Sequence, residues 1–511
     1  MKKFISVLLV VMMIFTLTAC GGGSSSAEKE DPAEREMVAA MDQASTVLDM
    51  HGTNALADYL GIYQIYDTLL IKNAQNEIEG SLADSWTVSD DGKTYTFKLK
   101  EGVKFSNGEE MTADDVVWSL TRGKESSFSS FNFSSMDSVT AVDTYTIEIK
   151  LSQPNVAFLE TLTGANAAIG CKAVYDEAGD NFGRDVDTVV GTGPYILTEW
   201  DPGQLMVLTA NEDYFKGAAS VKKLRIKTIS DTNSAVIALQ TGDIDYYFTA
   251  IPAVSRDSVE NDENLTITDF SSNKSQYLSL NTESDVFSNK LMRQALACGV
   301  DREKMLTIGL DDQGVIANTL AGADYTAVPS DFEWYKYDLE KAKSLVKEAG
   351  MEGANVTIKT YSIGAYSKIA TALQDDLNQL GLNAEVQQLE VNAMISDLES
   401  GNFQIAVTGW VSSVKDTGDV FNLILNSNNY GSTNDARYKN SEVDKILEEA
   451  MGEQDNDKRT EMYKQVAEIV KEDCPYIPLF YTSENRAYSA DLTIDEGNVQ
   501  YNRIYDFSWN Y

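Results

Sequence analysis

Residues 91–122 read DGKTYTFKLKEGVKFSNGEEMTADDVVWSLTR. The turn SDDGK (89–93) joins WTV to TYTF, which is a hairpin pattern. TYTFKLK (94–100) alternates, so Tyr95, Phe97 and Leu99 share one face of a strand. TADDVVWSLTRG (112–123) carries Thr112 and Asp115 at capping-box spacing, and the helix it opens is expected to stop at Gly123. TYTIEIKL (144–151) repeats the alternation with Tyr145, Ile147, Ile149 and Leu151. Strands and a helix are therefore mixed within the first 150 residues.

The C-terminal half alternates regularly. Asp338 caps a helix over 338–349 that Gly350 ends; then come a strand (355–360), a helix (366–380), a strand (383–389), a helix (391–400) and a strand (403–408). Two more amphipathic helices follow, one started by Ser441 and Asp444, the next carrying Met462, Val466, Ile469 and Val470. Such alternation argues for an α/β sheet covered by helices, in which ligands sit beyond the carboxyl ends of strands. The loop TGWVSSVKDTGD (408–419) leaves one such end, with an indole, an ammonium and two carboxylates.

The chain has 511 residues, 43% hydrophobic and 23% charged, with net charge −38 and a pI near 4.3. It is long enough for two or more domains. The charge argues against nucleic acid and against electrostatic docking on anionic lipid. MKK followed by FISVLLVVMMIF has the form of a secretory signal. LTAC (17–20) and the Gly/Ser run behind it resemble a bacterial lipobox, with cleavage before Cys20 and lipid on that residue. Cys171, Cys298 and Cys474 are scattered and form no CxxC; three buried thiols is the simpler reading, and at most one disulfide is possible.

Much chemistry is excluded. A hydrolytic triad or a histidine metal site would depend on the lone His51, which is expected at the surface or in a loop. No P-loop is present, and GTGPY (191–195) fails GxGxxG. Asp416 and Asp419 could serve a carboxylate-pair hydrolase, but acid and base usually face each other from separate elements. They could instead hold a ligand ammonium, with Trp410 offering a cation–π face. A solvated turn with the tryptophan folded inward stays open beside that reading.

The stretch 91–122 resembles the signature of the family 5 extracellular solute-binding proteins, the peptide/nickel/oligopeptide-binding lipoproteins of ABC importers. Ser106 and Asn107 stand where the pattern usually has His and Asp. GTGPYILTEWDPGQLMVLTANEDYF (191–215), ALQTGDID (238–245), YLSLNT…RQALACGVDREKM (277–305) and IPLFYTSENRAY (477–488) match further blocks in order. The resemblance implies an α/β, two-lobed periplasmic-binding-protein-like fold of class II type. Three domains and a hinged ligand cleft belong to it. The expected organisation is a signal peptide at 1–19, a flexible tether at 20–36, domain I from 37–65, 189–278 and 481–511, domain II at 66–188, and domain III, the second lobe, at 279–480. Crossings would lie near 279 and 480.

The resemblance also implies a monomeric, lipid-anchored receptor outside the membrane that passes peptides to a permease and its ATPase. No cofactor, metal, nucleic acid or bond chemistry is implied. An oligosaccharide, an opine-like compound or a chelated metal is the alternative ligand on the same fold. Expected cleft residues are Thr53, Asn54, Gly409, Trp410, Asp416, Asp419 and Tyr481, with the choice between the two aspartates open. Dipeptide binders place an arginine after the strand that 355–360 matches; TYSIGAYSK (360–368) has none.

Overall fold

The computed structural model describes residues 35–412, 414–495, 497 and 502–510. The signal segment, Cys20 and the tether up to residue 34 lie outside them. Arg35 pairs with Asp245 and Asp491 at 3.1 and 2.8 Å and lies 3.7 Å from the Trp509 ring, and the strand Glu36–Met41 begins at once.

The hairpin of 91–122 forms as its alternation demands. Thr94–Leu99 pairs with Ala83–Val88 and with Thr146–Leu151, and Met136–Asp143 completes a four-stranded antiparallel sheet. Tyr95, Phe97, Leu99, Ile147, Ile149 and Leu151 are buried against Val116 and Leu120 of the helix Ala113–Glu125. The capping box is made, with the Thr112 N–H donating to Asp115 Oδ2 at 3.0 Å. Gly123 does not end that helix. It lies buried inside it, where a Cβ would come within 2.8 Å of the Phe133 ring and 2.9 Å of His51 Nε2; close packing, not a cap, requires the glycine.

His51 lies in a turn, as expected of a loop residue, but it is buried there, only 3% exposed. Its Nε2 donates to the Asn166 carbonyl at 3.0 Å and its Nδ1 accepts from Arg122 at 3.1 Å, a pattern that selects the neutral ring. Burial and the adjacent guanidinium push its pKa down to about 4. Arg122 is itself clamped by Asp49, with two contacts of 2.6 Å. All three described cysteines are buried free thiols.

An eleven-stranded mixed sheet organises the rest. Two long antiparallel strands, Leu265–Leu280 and Tyr476–Ser489, run through its middle. At one end Tyr246–Tyr247, Glu36–Met41, Lys223–Thr228, Leu205–Ala210 and Tyr195–Asp201 extend the sheet. At the other, Ile405–Val411, Asn355–Tyr361 and Asn383–Leu389 extend it. The two ends bury separate apolar clusters, one around Met37, Leu224 and Tyr246, the other around Leu278, Ile358 and Ile405. We call these ends the first and second lobes; the four-stranded sheet joins the first through residues 66–194. Between the lobes the central ladder breaks its register from Ser271 to Ser275.

Helices of the second lobe fall where the periodicity placed them: Leu339–Glu348, Tyr366–Gln379 and Val391–Ser400, with the Asp338 carboxylate accepting from the Lys341 N–H at 2.9 Å. The loop 408–419 is shorter than it reads. Its first four residues finish the strand Ile405–Val411, and the helix Thr417–Leu425 starts at once after Asp416. Among the described residues no helix is long and apolar enough to cross a membrane.

Candidate functional site

A cavity of about 350 Å³ lies between the lobes, within the usual range of ligand pockets. Tyr63, Tyr66, Tyr214 and Tyr505 line its first-lobe wall, and Ser272, Asn273, Ser412 and Lys415 its second-lobe wall. Its position follows from the ladder break and from the strand Ile405–Val411, whose carboxyl end delivers Ser412 to the opening.

Charge of both signs enters this space. Glu160 ion-pairs with Lys72 and accepts the main-chain N–H of Lys415 at 2.6 Å, a contact from the first lobe to the second. Burial pushes the Glu160 carboxyl up, and the Lys72 ammonium opposes that shift. Asp67 accepts from Tyr214 at 2.8 Å, Thr192 at 3.1 Å and Ser81 at 3.2 Å. Lys216 donates to Ser81 Oγ at 2.7 Å, and burial lowers its pKa. Arg503 bonds Asp506 and the Lys72 carbonyl; Arg486 bonds Glu484 at 3.2 Å and lies 4.9 Å from the Phe270 ring. Lys415 reaches back to Asp324 and the Ser271 carbonyl at 2.6 and 3.1 Å.

The expected cleft residues divide. Asp416 is turned into the protein: both its oxygens meet Arg459 Nη2, at 2.6 and 2.8 Å, and Oδ1 also accepts the Gly418 N–H at 2.8 Å as the cap of the helix Thr417–Leu425. Its chemistry is therefore capping and pairing. Tyr481 is likewise spent on the fold, its hydroxyl making three contacts with Thr319 at 3.0 and 3.1 Å. Thr53 donates to Asp58 at 2.6 Å and is buried, while Asn54 is exposed at the foot of the helix Leu56–Ile65. Gly409 sits where a Cβ would lie 2.5 Å from the Ser275 carbonyl, so it serves the ladder. Trp410 is half-buried against the cluster of Leu320 and Phe421.

Asp419 differs from all of these. It is half-buried, and the hydrogen bond its carboxylate receives comes from Ser412 Oγ at 3.0 Å, the same Ser412 that lines the cavity. Among the described residues no cation pairs with it. Desolvation first, then the neighbouring Asp416 and Glu160, push its pKa up to about 7. Sequence reasoning missed Lys72, Glu160, Lys216, Arg486 and Arg503. Nothing in local patterning separates them from surface charge, because chain segments distant in sequence bring them together. No group of three or more potential metal ligands occurs among the described residues.

The family model for bacterial extracellular solute-binding proteins, family 5, matches residues 77–432. The chain is 29% identical over 455 residues to the oligopeptide-binding protein AppA of Bacillus subtilis, covering 84% of this chain and 82% of that protein. HbpA2 from Haemophilus parasuis superposes with a TM-score of 0.87 at 24% identity, over 93% of this chain and 100% of that one. The ABC transporter-associated periplasmic binding protein DppA from Helicobacter pylori, in complex with the peptide STSA, superposes with a TM-score of 0.75 at 25% identity, over 93% and 98%. The architecture is the two-lobed periplasmic-binding-protein fold, and the chain belongs to the bacterial extracellular solute-binding proteins of family 5.

Proposed function

We propose that this protein is the receptor of an ABC importer and that its ligands are peptides, captured outside the membrane and handed to a permease with its ATPase. The observation that carries this reading is the interlobe cavity, which holds charge of both signs while the acid beside it, Asp419, pairs with no cation among the described residues. A peptide brings an ammonium and a carboxylate on one backbone, and such a site suits both ends. The names of the relatives support the same class. In this reading Asp419 takes the ligand ammonium, Trp410 and Asn54 border the mouth, and no bond is made or broken.

The lobes close by bending where the central ladder breaks, at 271–275 and 481–483, somewhat inside the crossings expected at 279 and 480. The receptor acts as a monomer, and Cys20 carries lipid that tethers it to the membrane; changing Cys20 to Ser is expected to release it into the medium or periplasm. Retention of that variant on membranes would refute the anchor. For the ligand class, native mass spectrometry of the purified protein is expected to show retained masses that fragment as peptides. Sugars or chelates alone in that spectrum, with no uptake of added peptides, would overturn the peptide reading.

A further inference from the structure

The four-stranded domain is hydrogen-bonded to the second lobe at three places among the described residues. Asn76 Nδ2 donates to the Asp324 carbonyl at 3.2 Å, Glu160 accepts the Lys415 N–H at 2.6 Å, and the Val156 N–H donates to the Met451 carbonyl at 3.2 Å. The first two belong to the cavity: Glu160 and Lys415 line it, and Asn76 accepts from Lys72, which lines it too. The third lies elsewhere, since neither Val156 nor Met451 is a cavity residue, nor are Pro154 and Gly452 beside them. What that contact holds is the second lobe itself.

Both sides of it are built before they meet. On the first-lobe side the Tyr95 hydroxyl donates to the Asn155 carbonyl at 3.0 Å, and Asn155 Nδ2 donates to Ser135 Oγ at 3.2 Å. The Asn155 side-chain oxygen accepts the Ala157 N–H at 3.1 Å, so the chain on either side of Val156 is tied to the sheet. The hairpin turn packs behind this loop; a Cβ on Gly92 would lie 3.3 Å from Pro154 and 3.7 Å from Gln454 of the second lobe. On the other side is the end of the helix Ser441–Gly452. The last carbonyls of a helix have no partner inside it, and no basic residue stands in this last turn. Val156 answers one of those carbonyls from across the gap. A Cβ on Gly452 would sit 3.5 Å from Pro154 Cβ, the spacing of packed surfaces.

We propose that the loop Pro154–Val156 and the helix end Met451–Gly452 form a latch that holds the lobes shut at a point the ligand does not touch. This rests on the hinge at 271–275 and not on the ligand being a peptide. Such a latch gives the closed form a population of its own, and any ligand that prefers the closed form gains affinity from it. Loss of the latch therefore weakens every ligand by one common factor, whereas loss of a cavity residue discriminates among ligands.

The test uses the full chain. Gly452→Ala adds a methyl at ordinary contact distance and should behave as wild type. Gly452→Leu adds a side chain that meets Pro154 only when the lobes are shut. Its ligand-free small-angle scattering should show a larger radius, and calorimetry with individual tri- to pentapeptides should show all binders weakened by the same factor, about tenfold or more. Leucine is a better helix former than glycine, so its melting temperature should not fall. Pro154→Cys combined with Gly452→Cys tests the geometry separately, because the 3.5 Å Cβ separation meets the lower end of the disulfide range, about 3.5–4.5 Å. With diamide as oxidant the two new thiols should join, and the oxidised variant should stay compact with or without peptide until it is reduced. A wild-type radius in Gly452→Leu, losses that differ from peptide to peptide, or new thiols that stay free under diamide would overturn the latch. If no peptide binds the wild type, the peptide reading fails, while scattering and the cross-link still decide the latch.

Discussion

Asp416 and Arg459 meet in a buried ion pair, 1% exposed on the arginine side and 3% on the aspartate side, with Nη2 held 2.6 and 2.8 Å from the two oxygens. The pair fixes the first turn of the helix Thr417–Leu425, and so the position of Asp419 three residues on. Breaking a buried pair from one side strands the other charge and costs about 3–5 kcal/mol. Arg459→Met is therefore expected to lower stability by that amount in urea denaturation. Replacing both residues with apolar ones should recover much of it. A single variant as stable as wild type would contradict the paired geometry.

Tyr481→Phe provides a second test of fold against site. The hydroxyl answers the N–H, carbonyl and Oγ1 of Thr319, and its loss leaves buried groups unpaired at about 1–3 kcal/mol. The variant should melt lower yet bind saturating ligand to the same extent. Unchanged melting with weakened binding would return Tyr481 to the cleft.

What the sequence made legible is what short-range periodicity encodes. Tyr95, Phe97 and Leu99 turn inward because alternation leaves them one apolar face, and the helix after Asp338 starts at its cap. Loop 408–419 could be placed at a strand's carboxyl end for the same reason. Its inner detail was not legible: Asp416 and Asp419 look equivalent until Arg459, 43 residues away from the first, claims it. Glu160 and Lys72 were equally hidden, as the side chains are 88 positions apart and join only through the tertiary fold. The loop position of His51 was legible but its burial was not, because its acceptor Asn166 is 115 residues distant.

Glu160 should control closure. It holds Lys415 of the opposite lobe through the main-chain N–H at 2.6 Å and neutralises Lys72, which is 6% exposed. Glu160→Ala removes both contacts, so small-angle scattering of the ligand-free variant should show a larger radius than wild type. Affinity for ligand should fall by the same factor as the closed population. Glu160→Gln keeps an acceptor for the N–H and should lie between the two. Identical scattering from all three proteins would mean that this contact does not hold the lobes together.

The last prediction joins the acidity of Asp419 to its role. A free aspartate titrates near about 3.9, whereas this one is pushed up to about 7 by burial. The folded protein therefore binds the proton more tightly than the unfolded chain, and stability must fall as pH rises through the window between those values. Asp419→Asn carries no such group. It should match the wild type at pH 4 and exceed it at pH 8, with about 1.4 kcal/mol for each unit of the shift. Ligand binding should run the other way. A peptide ammonium needs the ionised carboxylate, so wild-type affinity is expected to rise from pH 5 to pH 7.5, while affinity for an N-acetylated peptide stays flat. In Asp419→Asn both profiles should be flat and about 2–5 kcal/mol weaker for the free peptide. Acetylation and the Asn substitution remove one contact, so their combined effect should be far from additive. Calorimetry over the four combinations measures this directly. Additive losses, or an affinity for free peptide that does not change with pH in the wild type, would place the ammonium elsewhere and leave Asp419 a buried acid of the fold.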